Sequence, residues 1–307
     1  MRVVVTGGAG FIGSRLVARL AELGDEVTVI DDLSKGRIEN LKKLLDSHHV
    51  RLHILDITER EKISERLDDS EALVHLAAIS SVTEAETQPA RAFRVNVMGT
   101  EFILESCIRK KVRKAIFASS AAVFGDGGRP FTEKDPPNPQ NVYGATKVLG
   151  ERLFESYAYR HGLHSVVLRI FNVYGGGMAG QGVVDRFITA CLSGKPLEIY
   201  GDGLQMRDFI HVDDVVEAFI KSLDFEPSEN FARFNIGSGQ PLTIAELAGM
   251  ILRMFGASDH MLIHREARPG DIRFSVADIS QARTVLGFEP RIRVKDWVKK
   301  VAMEMRS

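Results

Sequence analysis

The sequence predicts an α/β protein in which a doubly wound parallel sheet is accompanied by a smaller lobe of mixed α/β structure. In the first half of the chain, short apolar runs typical of buried strands alternate with longer segments that have helical spacing of apolar positions. Beyond residue 172 the segments become shorter and more mixed. We therefore predict a larger domain over residues 1–172, rejoined by segments near 209–240, and a smaller lobe over residues 173–307 that is interleaved with it.

The first predicted strand and helix are joined by a glycine-rich turn. Residues 3–5 are three valines, which favour a buried strand, and helical spacing of apolar positions begins just after Gly10. Gly7 can adopt turn conformations, Gly10 lets a pyrophosphate approach the backbone, and Gly13 lets helix and strand pack closely. The free N–H groups at the helix start attract phosphate. The predicted dinucleotide contacts of this turn are Gly7, Gly10, Phe11, Ile12 and Gly13.

A carboxylate ends the second predicted strand. This strand begins at residue 27 and ends at Asp31, 21 residues after Gly10, where a carboxylate accepts hydrogen bonds from an adenosine ribose. Together with the glycine-rich turn, it predicts a Rossmann-type domain that binds NAD. Asp31 favours NAD over NADP because its charge would repel a 2′-phosphate, although the nearby cations Lys35 and Arg37 could offset that repulsion.

The remaining elements of the first half continue the alternation. Further strands are predicted at residues 50–57, 73–78, 115–120 and 166–171, and helices at residues 90–109 and 142–161. The proline-rich residues 135–139 exclude helix, and Gly162 is placed to end the second helix. In parallel sheets of this kind, ligands bind at the carboxyl ends of the strands. Ser120 is predicted at such an end.

Composition and charge exclude several classes of function. The 307 residues are 44% hydrophobic and 26% charged, as in ordinary globular proteins, and the net charge of −1 argues against nucleic acid or an anionic membrane as a partner. Cys107 and Cys191 lie in apolar stretches and are expected to be reduced thiols. Because a strand is predicted from residue 2 and no apolar run approaches ~18 residues, we expect no signal peptide and a cytoplasmic enzyme.

Two clusters of polar residues do not indicate a metal site. His48, His49 and His53 are close together in the sequence but lack the spacing of metal ligands. Asp213 and Asp214 fit the acidic first turn of a helix. No metal is therefore predicted.

One predicted helix carries residues suited to acid–base chemistry. Tyr143 and Lys147 are four residues apart, which places a phenol and an ammonium on one face. A free tyrosine, with a pKa near ~10, is a poor base at neutral pH, but a nearby cation stabilises its phenolate. Tyr143 could then exchange a hydroxyl proton while the cofactor moves a hydride, and Ser120 could bond the same oxygen. We predict Ser120, Tyr143 and Lys147 as the catalytic residues.

These motifs resemble a known group of enzymes. The turn at residues 7–13, the serines before residues 123–125, and the pair Tyr143 and Lys147 resemble the extended short-chain dehydrogenase/reductase superfamily, and within it the sugar-nucleotide epimerases. The resemblance covers essentially the whole chain. It implies an NAD-dependent isomerase that interconverts UDP-glucose and UDP-galactose through a transient 4-keto intermediate, with the N-acetylhexosamine pair as a further expectation. It also implies a homodimer and assigns substrate binding to the smaller lobe.

Two alternatives to the epimerase hypothesis stay open. The first is a sugar-nucleotide 4,6-dehydratase. Dehydratases of the superfamily carry an Asp-Glu pair for water elimination directly after the serine, where this chain has Ala121 and Ala122. The second is a non-catalytic NAD-sensing protein, although such proteins usually lack the tyrosine or the lysine, and both are present here.

The resemblance further implies site residues at matching positions. The implied cofactor contacts, beyond the glycine-rich turn, are Asp31, Asp32, Ser34, Asp56, Ile57, Leu76, Ala77, Ala78, Ser80, Asn96, Ser119, Tyr143 and Lys147. The implied substrate contacts are Ser120, Tyr143, Asn172, Val183, Tyr200, Arg207, Arg268, Asp271 and Ser275. Arg207 and Arg268 would face phosphate, which suits the bidentate fork of arginine, and Asp271 would reach the nucleoside ribose.

Two last expectations concern the sugar pocket and the subunit interface. Ser275 stands where the family carries a gating side chain beside the 2-substituent of the sugar, and serine leaves room for an N-acetyl group. The alternative is that Ser275 only continues a strand over residues 273–276 and that another residue, such as Phe274, closes the space. Related enzymes pair through two helices that match residues 96–109 and 142–160. Phe102 and Phe154 are candidates for that shared face, and internal core is an equal alternative for both.

Overall fold

The computed structural model describes residues 1–176, 182–267 and 270–305. Its strands, in chain order, are β1 (Arg2–Thr6), β2 (Glu26–Asp31), β3 (Val50–Ile54), β4 (Ala72–His75), β5 (Lys114–Ser120), β6 (His164–Ile170), β7 (Asn172–Tyr174), β8 (Leu197–Tyr200), β9 (Met206–His211), β10 (Phe231–Ile236), β11 (Pro241–Thr243), β12 (Leu262–Arg265) and β13 (Phe274–Ser275). Its α-helices are α1 (Phe11–Glu22), α2 (Lys42–Leu45), α3 (Arg60–Glu65), α4 (Val82–Thr87), α5 (Pro89–Phe93), α6 (Thr100–Arg109), α7 (Val142–His161), α8 (Val183–Leu192), α9 (Val212–Asp224), α10 (Ile244–Phe255), α11 (Ser280–Val285) and α12 (Val294–Glu304).

The chain divides into two compact units. The first unit contains Met1–Val123, Pro137–Arg169 and Val216–Phe234, and the second contains Phe124–Pro136, Ile170–Val215 and Asn235–Ser307. Residues 124–136, which the sequence places in the larger domain, pack within the second unit. There the Phe124 ring stacks on the Phe131 ring with centroids 4.4 Å apart, and the Phe131 N–H donates to the carbonyl of Val276 at 2.9 Å.

The first unit is built on the predicted sheet. Seven strands lie in the order β10-β6-β5-β4-β1-β2-β3, and β1 pairs in parallel with both β2 and β4. The chain therefore leaves β1 toward β2 on one side and later returns to fill the other side. This reversal opens a crevice at the carboxyl ends of β1 and β4, which is where ligands bind in sheets of this type. The predicted fold class is confirmed.

The core of the first unit packs between one sheet face and helices α3, α6 and α7. Phe117 of β5 and Phe154 of α7 stack there with ring centroids 4.8 Å apart, and both side chains are essentially fully buried. Burial of such a ring stabilises the fold by about 1.5–3 kcal/mol. Phe154 is therefore a core residue, and of the two alternatives for its side chain the structure favours the core over a subunit interface. Phe102 is half-buried under the guanidinium of Arg60.

The predicted helix at residues 90–109 is interrupted. It consists of α5, a π-helical segment at Arg94–Gly99, and α6. Such wider turns occur frequently at functional sites. By contrast, α7 follows the prediction closely, because Asn141 caps its first turn by accepting from the Gly144 N–H and Gly162 ends it with φ of 69°.

The second unit has its own small sheet and core. Strand β9 is its centre and pairs with β7, β11 and β13, while β8 and β12 form a separate parallel pair. Helices α8, α10 and α12 pack around an apolar core that includes Phe187, Leu247 and Val298. Asp213 and Asp214 lie in the first turn of α9, as predicted, and Asp214 accepts from the N–H groups of Arg291 and Ile292 at 3.0 Å.

Candidate active site

The glycine-rich turn forms a backbone cradle between β1 and α1. Gly7 has φ of 71°, a conformation that favours glycine, and its N–H donates to the carbonyl of Ile30 at 2.8 Å. A Cβ on Gly13 would lie 2.1 Å from the Gly7 carbonyl oxygen. The helical hydrogen bonds begin at the N–H of Ser14, which donates to Gly10 at 3.0 Å. The preceding amides, at Phe11 to Gly13, therefore lie at the N-terminus of the helix, where backbone N–H groups are suited to a diphosphate.

Asp31 is held rigidly beside this cradle. Its Oδ2 accepts from the N–H of Ala9 and its Oδ1 from the N–H of Leu33, each at 2.9 Å. Burial raises the pKa of this carboxyl above its usual value, and the two backbone hydrogen bonds oppose that rise. Asp32 accepts from both the N–H and the hydroxyl of Ser34 at 2.9 and 2.6 Å. The predicted ribose-binding carboxylate therefore has a fixed orientation at the end of β2.

We expect NAD to bind at least about tenfold more tightly than NADP, a difference of about 1.4 kcal/mol. The Asp31 carboxylate would repel a 2′-phosphate, and the Lys35 ammonium is paired with Glu84 at 3.0 Å, which weakens its ability to offset that repulsion. Calorimetric titration of both cofactors measures the difference. Asp31→Ser should reduce the difference in affinity between NAD and NADP. Tighter binding of NADP than of NAD by the unaltered protein would contradict the assignment of Asp31 to the ribose.

The carboxyl end of β4 borders the cradle. A Cβ on Gly7 would lie 2.7 Å from the backbone nitrogen of Ala77, so the segment Leu76 to Ala78 runs directly against the glycine-rich turn. All three of these residues are half-buried, whereas Ser80 is exposed. Leu76 to Ala78 therefore belong to the same crevice as the glycine-rich turn.

The side-chain amide of Asn96, a predicted cofactor contact, makes hydrogen bonds to other residues of the protein. It is buried on the π-helical segment, and its Oδ1 accepts from the Ile79 N–H at 2.8 Å. Its Nδ2 donates to the carbonyl of Ile79 and to the hydroxyl of Thr146, at 3.1 and 3.0 Å. Asn96 thus ties the segment after β4 to α7 next to Lys147. This geometry fits a positioning role.

Asp56 and Ile57 follow β3, on the other side of the cradle. The half-buried Asp56 carboxylate accepts from the N–H of Thr58 at 2.8 Å, and the Ile57 side chain packs in the core against Gly99. The Ile57 side chain is therefore used in packing, and its backbone is the part suited to a base contact.

Ser120, Tyr143 and Lys147 come together in the first unit. A Cβ on Gly144 would lie 2.3 Å from the carbonyl oxygen of Ala122, so glycine allows α7 to begin directly against the turn that follows β5. This approach puts the Tyr143 phenol in hydrogen-bond contact with the Ser120 hydroxyl. The Lys147 ammonium donates to the carbonyl of Ala118 at 2.8 Å and lies 5.8 Å from the centre of the Tyr143 ring.

The electrostatics of this cluster are set by burial. Burial raises the pKa of Tyr143 above its usual value, and the hydrogen bond from Ser120 opposes that rise. Burial also lowers the pKa of Lys147 to about 7, which the charge of Glu151 opposes. Lys147 therefore changes its charge near neutral pH. Such displaced pKa values are typical of acid–base sites.

His75 stands behind the cluster as a neutral group. Burial, and secondarily the Lys147 charge, lower its pKa to about 3. Its ring nitrogens contact the hydroxyls of Thr6 and Thr100 at 2.7 and 2.9 Å. The neutral imidazole therefore links β1, β4 and α6 without adding charge to the site.

The second unit brings together several of the predicted substrate contacts. An Nη of Arg207 donates to Asp271 Oδ1 at 2.9 Å, and the Gln205 amide donates to Asp271 Oδ2 at 3.1 Å. Burial lowers the pKa of Arg207, and the Asp271 charge opposes that shift. Ser275 on β13 pairs with Arg207 on β9, so it lies one strand away. Gln205, absent from the predicted contacts, is marked only by its place in the motif around Arg207.

The other predicted substrate contacts are less closely grouped. Asn172 is exposed on β7, on a strand that also pairs with β9, and Val183 and Tyr200 are half-buried at the ends of α8 and β8. Arg268 lies outside the described residues. The grouped contacts are therefore Arg207 on β9, Ser275 on the adjacent β13, and Asp271, which accepts a hydrogen bond from Arg207.

Glu151 is absent from the predicted site although it borders it. It lies two helical turns after Tyr143 on α7, and its carboxylate accepts a hydrogen bond of 2.5 Å from the Ser119 hydroxyl. The i, i+4, i+8 spacing of Tyr143, Lys147 and Glu151 is the signal that the sequence offers.

Comparison with known proteins decides the family. The model of the NAD dependent epimerase/dehydratase family matches residues 3–237. The chain belongs to this family. It is 36% identical over 313 residues to the UDP-glucose 4-epimerase of Mycolicibacterium smegmatis, a match that covers 100% of this chain and 99% of that one.

Solved structures of family members are also similar over the whole chain. The UDP-glucose 4-epimerase of Thermotoga maritima with UDP-glucose is 34% identical, with a TM-score of 0.92 and coverage of 100% of this chain and 99% of that one. The dTDP-glucose 4,6-dehydratase of Streptomyces venezuelae with NAD bound is 29% identical, with a TM-score of 0.93 and coverage of 100% and 97%. The epimerase/dehydratase family thus includes members that catalyse different reactions on the same fold.

The cofactor of this epimerase/dehydratase chain is NAD. The residues present fit it, because the cradle at Gly7 and Gly13 has no room for a side chain and the helix N-terminus accepts a diphosphate. Asp31 presents a fixed carboxylate suited to a ribose. Within the described ranges, no helix combines the length and apolar character needed to cross a membrane.

Proposed function

We propose that this protein is an NAD-dependent 4-epimerase of nucleotide sugars that interconverts UDP-glucose and UDP-galactose. The observation that carries the proposal is the cluster of Ser120, Tyr143 and Lys147. In the sequence, Ser120 is followed by Ala121 and Ala122, whose side chains cannot ionise. The cluster supplies what proton exchange at one hydroxyl requires, and the alanines supply no acid or base for an elimination.

In the proposed reaction, Tyr143 takes the proton of the sugar 4-hydroxyl and later returns it. NAD, when bound, supplies the hydride acceptor and donor for C4. The Lys147 ammonium stabilises the phenolate of Tyr143, which burial otherwise disfavours. Ser120 donates to the reacting oxygen and holds it near Tyr143. The sugar is released with its C4 configuration inverted when the hydride returns to the opposite face of the 4-keto sugar.

We further propose that residues around β9 bind the nucleotide part of the substrate. The Arg207 guanidinium is mostly buried and already bonded to the carboxylate of Asp271, so its position is fixed before a ligand arrives. A pre-positioned guanidinium suits a diphosphate, and a carboxylate suits the hydroxyls of a ribose. We propose Arg268 as a second phosphate contact, from the resemblance alone.

The second candidate function is that of a sugar-nucleotide 4,6-dehydratase, because the solved structure of a dTDP-glucose 4,6-dehydratase is similar to this protein over the entire chain. Elimination of water between C5 and C6 needs a group that removes a proton and a group that donates one. The positions after Ser120 are alanines in this chain, which favours epimerisation.

A panel assay tests the proposed function. Purified protein is incubated with UDP-, dTDP- and GDP-hexoses, and the 4-epimers are quantified by chromatography. We expect epimers from the UDP-hexoses, with no net consumption of NAD. Formation of a 4-keto-6-deoxy product would favour the dehydratase, and absence of both products and of any transient reduced-nicotinamide absorbance would favour a non-catalytic NAD-binding protein.

We expect the unaltered protein to epimerise the UDP-N-acetylhexosamine pair in addition to the UDP-hexose pair. Ser275 is a small, buried residue on β13, next to Arg207 on β9. From the resemblance alone, we propose that serine leaves space for an N-acetyl group where a tyrosine would fill it. Ser275→Tyr should abolish turnover of the N-acetylated pair and retain turnover of UDP-glucose, while Ser275→Ala should retain both. The idea of a gate at Ser275 fails if neither the unaltered protein nor Ser275→Tyr acts on the N-acetylated pair.

We expect a homodimer formed through the π-helical segment with α6 and through α7. Met98 and Leu149, on these segments, are exposed apolar side chains, which are the kind that an interface covers. Light scattering at micromolar concentration should give twice the chain mass of 34.0 kDa. Leu149→Glu should reduce it to that of a monomer, whereas Leu192→Glu, at an exposed site on α8, should not. A monomeric mass for the unaltered protein would refute the dimer.

A further inference from the structure

The stripe of α7 that carries Tyr143 and Lys147 continues for one more turn, to Glu151. These three residues are spaced by four, so their side chains lie along one side of the helix. The Glu151 side chain is only 2% exposed. A carboxylate at that depth is stable only when charged or hydrogen-bonding groups surround it.

Four elements meet at the Glu151 carboxylate. Arg169 of β6, which is fully buried, donates from Nε to Oε1 at 2.9 Å and from an Nη to Oε2 at 2.7 Å, a bidentate pair. The Nε of Arg233, on β10, lies 3.5 Å from Oε2. The hydroxyl of Ser119, on β5, donates to Oε1 at 2.5 Å. The carboxylate therefore links α7 to the strand that ends in Ser120.

The titratable and charged groups around Lys147 come from several elements. On α7 they are Tyr143 and Glu151, and β4 contributes the neutral His75. Behind Glu151 stand the two guanidiniums of Arg169 and Arg233. Of these groups, Glu151 carries the negative charge that opposes the effect of burial on the pKa of Lys147, which is about 7. Without it, the ammonium would be left with buried cations.

We propose that Glu151 is a positioning residue of the active site, whose carboxylate keeps Lys147 in its ammonium form and fixes Ser119 next to Ser120. The inference rests on the proposed function, because it assumes that the ammonium of Lys147 stabilises the Tyr143 phenolate. It adds a residue that does not touch the substrate but acts through two groups that serve it.

The sign of the expected effect follows from the charges. An ammonium is present below its pKa, and loss of a neighbouring negative charge lowers that pKa. In Glu151→Gln, Lys147 would therefore lose its proton at a lower pH and be largely neutral at pH 7. Tyr143 would then lack the cation that stabilises its phenolate. If the midpoint falls by about one to two pH units from about 7, the ammonium fraction at pH 7 drops about 5- to 50-fold, and kcat should fall by the same factor. KM should change little because Glu151 does not touch the sugar nucleotide.

The experiment measures the titration of Lys147 directly. Protein labelled with ¹³C at lysine Cε is titrated by NMR, and the Lys147 signal is assigned by its loss in Lys147→Arg. In the unaltered protein we expect a titration midpoint near 7, in line with the Lys147 pKa of about 7. In Glu151→Gln we expect a midpoint that is lower by about one to two pH units. Glu151→Asp, which keeps the charge, should restore most of the midpoint and of kcat.

Glu155→Gln is the matched control. Glu155 is the next carboxylate one turn along α7, pairs with Arg152 at 2.6 Å and lies 3.7 Å from Arg233. Its loss should leave the Lys147 midpoint and kcat unchanged. If Glu151→Gln does not fold because it strands Arg169, the double variant Glu151→Gln with Arg169→Gln removes both charges, and the midpoint should still fall, though by less.

The outcomes separate this inference from the proposed function. An unmoved midpoint in Glu151→Gln overturns the inference even if kcat falls, because the loss would then be structural. A lowered midpoint in a protein that epimerises no sugar nucleotide overturns the proposed function and leaves the electrostatic role of Glu151 standing.

Discussion

Replacing Tyr143 by phenylalanine is expected to lower epimerase turnover by about 10²–10⁴-fold, the usual contribution of a general acid–base group. The phenol is the group in hydrogen-bond contact with Ser120, and the substitution removes its oxygen while the ring remains. NAD binding should stay close to that of the unaltered protein, because the glycine-rich turn and Asp31 are untouched. Steady-state kinetics and calorimetric titration of NAD give the two measurements.

The matched control for Tyr143→Phe is Tyr159→Phe. Tyr159 lies on the same helix, and its side chain is 60% exposed, so loss of its hydroxyl should change neither turnover nor stability. Near-normal turnover in Tyr143→Phe would remove the phenol from the mechanism. If turnover and NAD binding fell together, a disturbed fold would be the explanation, and circular dichroism of the variant would reveal it.

Gly13→Ala is expected to abolish NAD binding and to destabilise the fold by about 3 kcal/mol, the upper part of the usual range for overpacking. The added Cβ would lie 2.1 Å from the Gly7 carbonyl oxygen and 2.7 Å from the Gly8 Cα. Both contacts are with backbone, so relief requires α1 to move away from the turn after β1. That movement carries the diphosphate-binding amides with it. Denaturant unfolding and calorimetry measure the two effects.

Two further alanine variants separate stability from binding. At Gly10 the added Cβ would meet, among the described residues, only the Gly7 carbonyl oxygen, at 3.2 Å. Gly10→Ala should therefore fold and lose NAD affinity through its proximity to the diphosphate. At Gly128 an added Cβ would lie more than 4 Å from non-neighbouring atoms of the part of the chain that the structure describes, so Gly128→Ala should be neutral in both measurements. Wild-type stability and NAD affinity in Gly13→Ala would contradict the close approach seen at this turn.

The sheet and the glycine-rich turn were predictable because they depend on local patterns. Valine-rich runs such as residues 3–5 specify buried strands, and a parallel sheet follows from their alternation with helices. The ends of α7 were likewise local, since Asn141 and Gly162 provide its cap and its terminator. The spacing of Tyr143 and Lys147 put them on one face for the same reason.

The interruption before α6 could not be predicted from spacing. The sequence from residue 90 to 109 has helical periodicity, whereas the π-helical segment carries Asn96, whose amide makes hydrogen bonds to Ile79 and Thr146 in distant parts of the chain. Phe154 shows the same limit. Periodicity marks it as apolar, but only its stacking on Phe117 of β5 shows that it faces the core rather than a partner subunit.

Glu151 shows most clearly what each level decided. The sequence by itself determined the NAD-binding fold and placed Tyr143 and Lys147 on one face of a helix, because these follow from residue types at short spacings. A glutamate on a helix ordinarily lies in solvent, and its burial here is decided by Arg169 and Arg233, which arrive on β6 and β10. Lys147 is buried as well, and burial of its ammonium and of the Tyr143 phenol lowers the pKa of Lys147 and raises that of Tyr143. The chemistry of the site was therefore decided by the tertiary structure, because desolvation and charge pairing depend on groups that are distant in the chain.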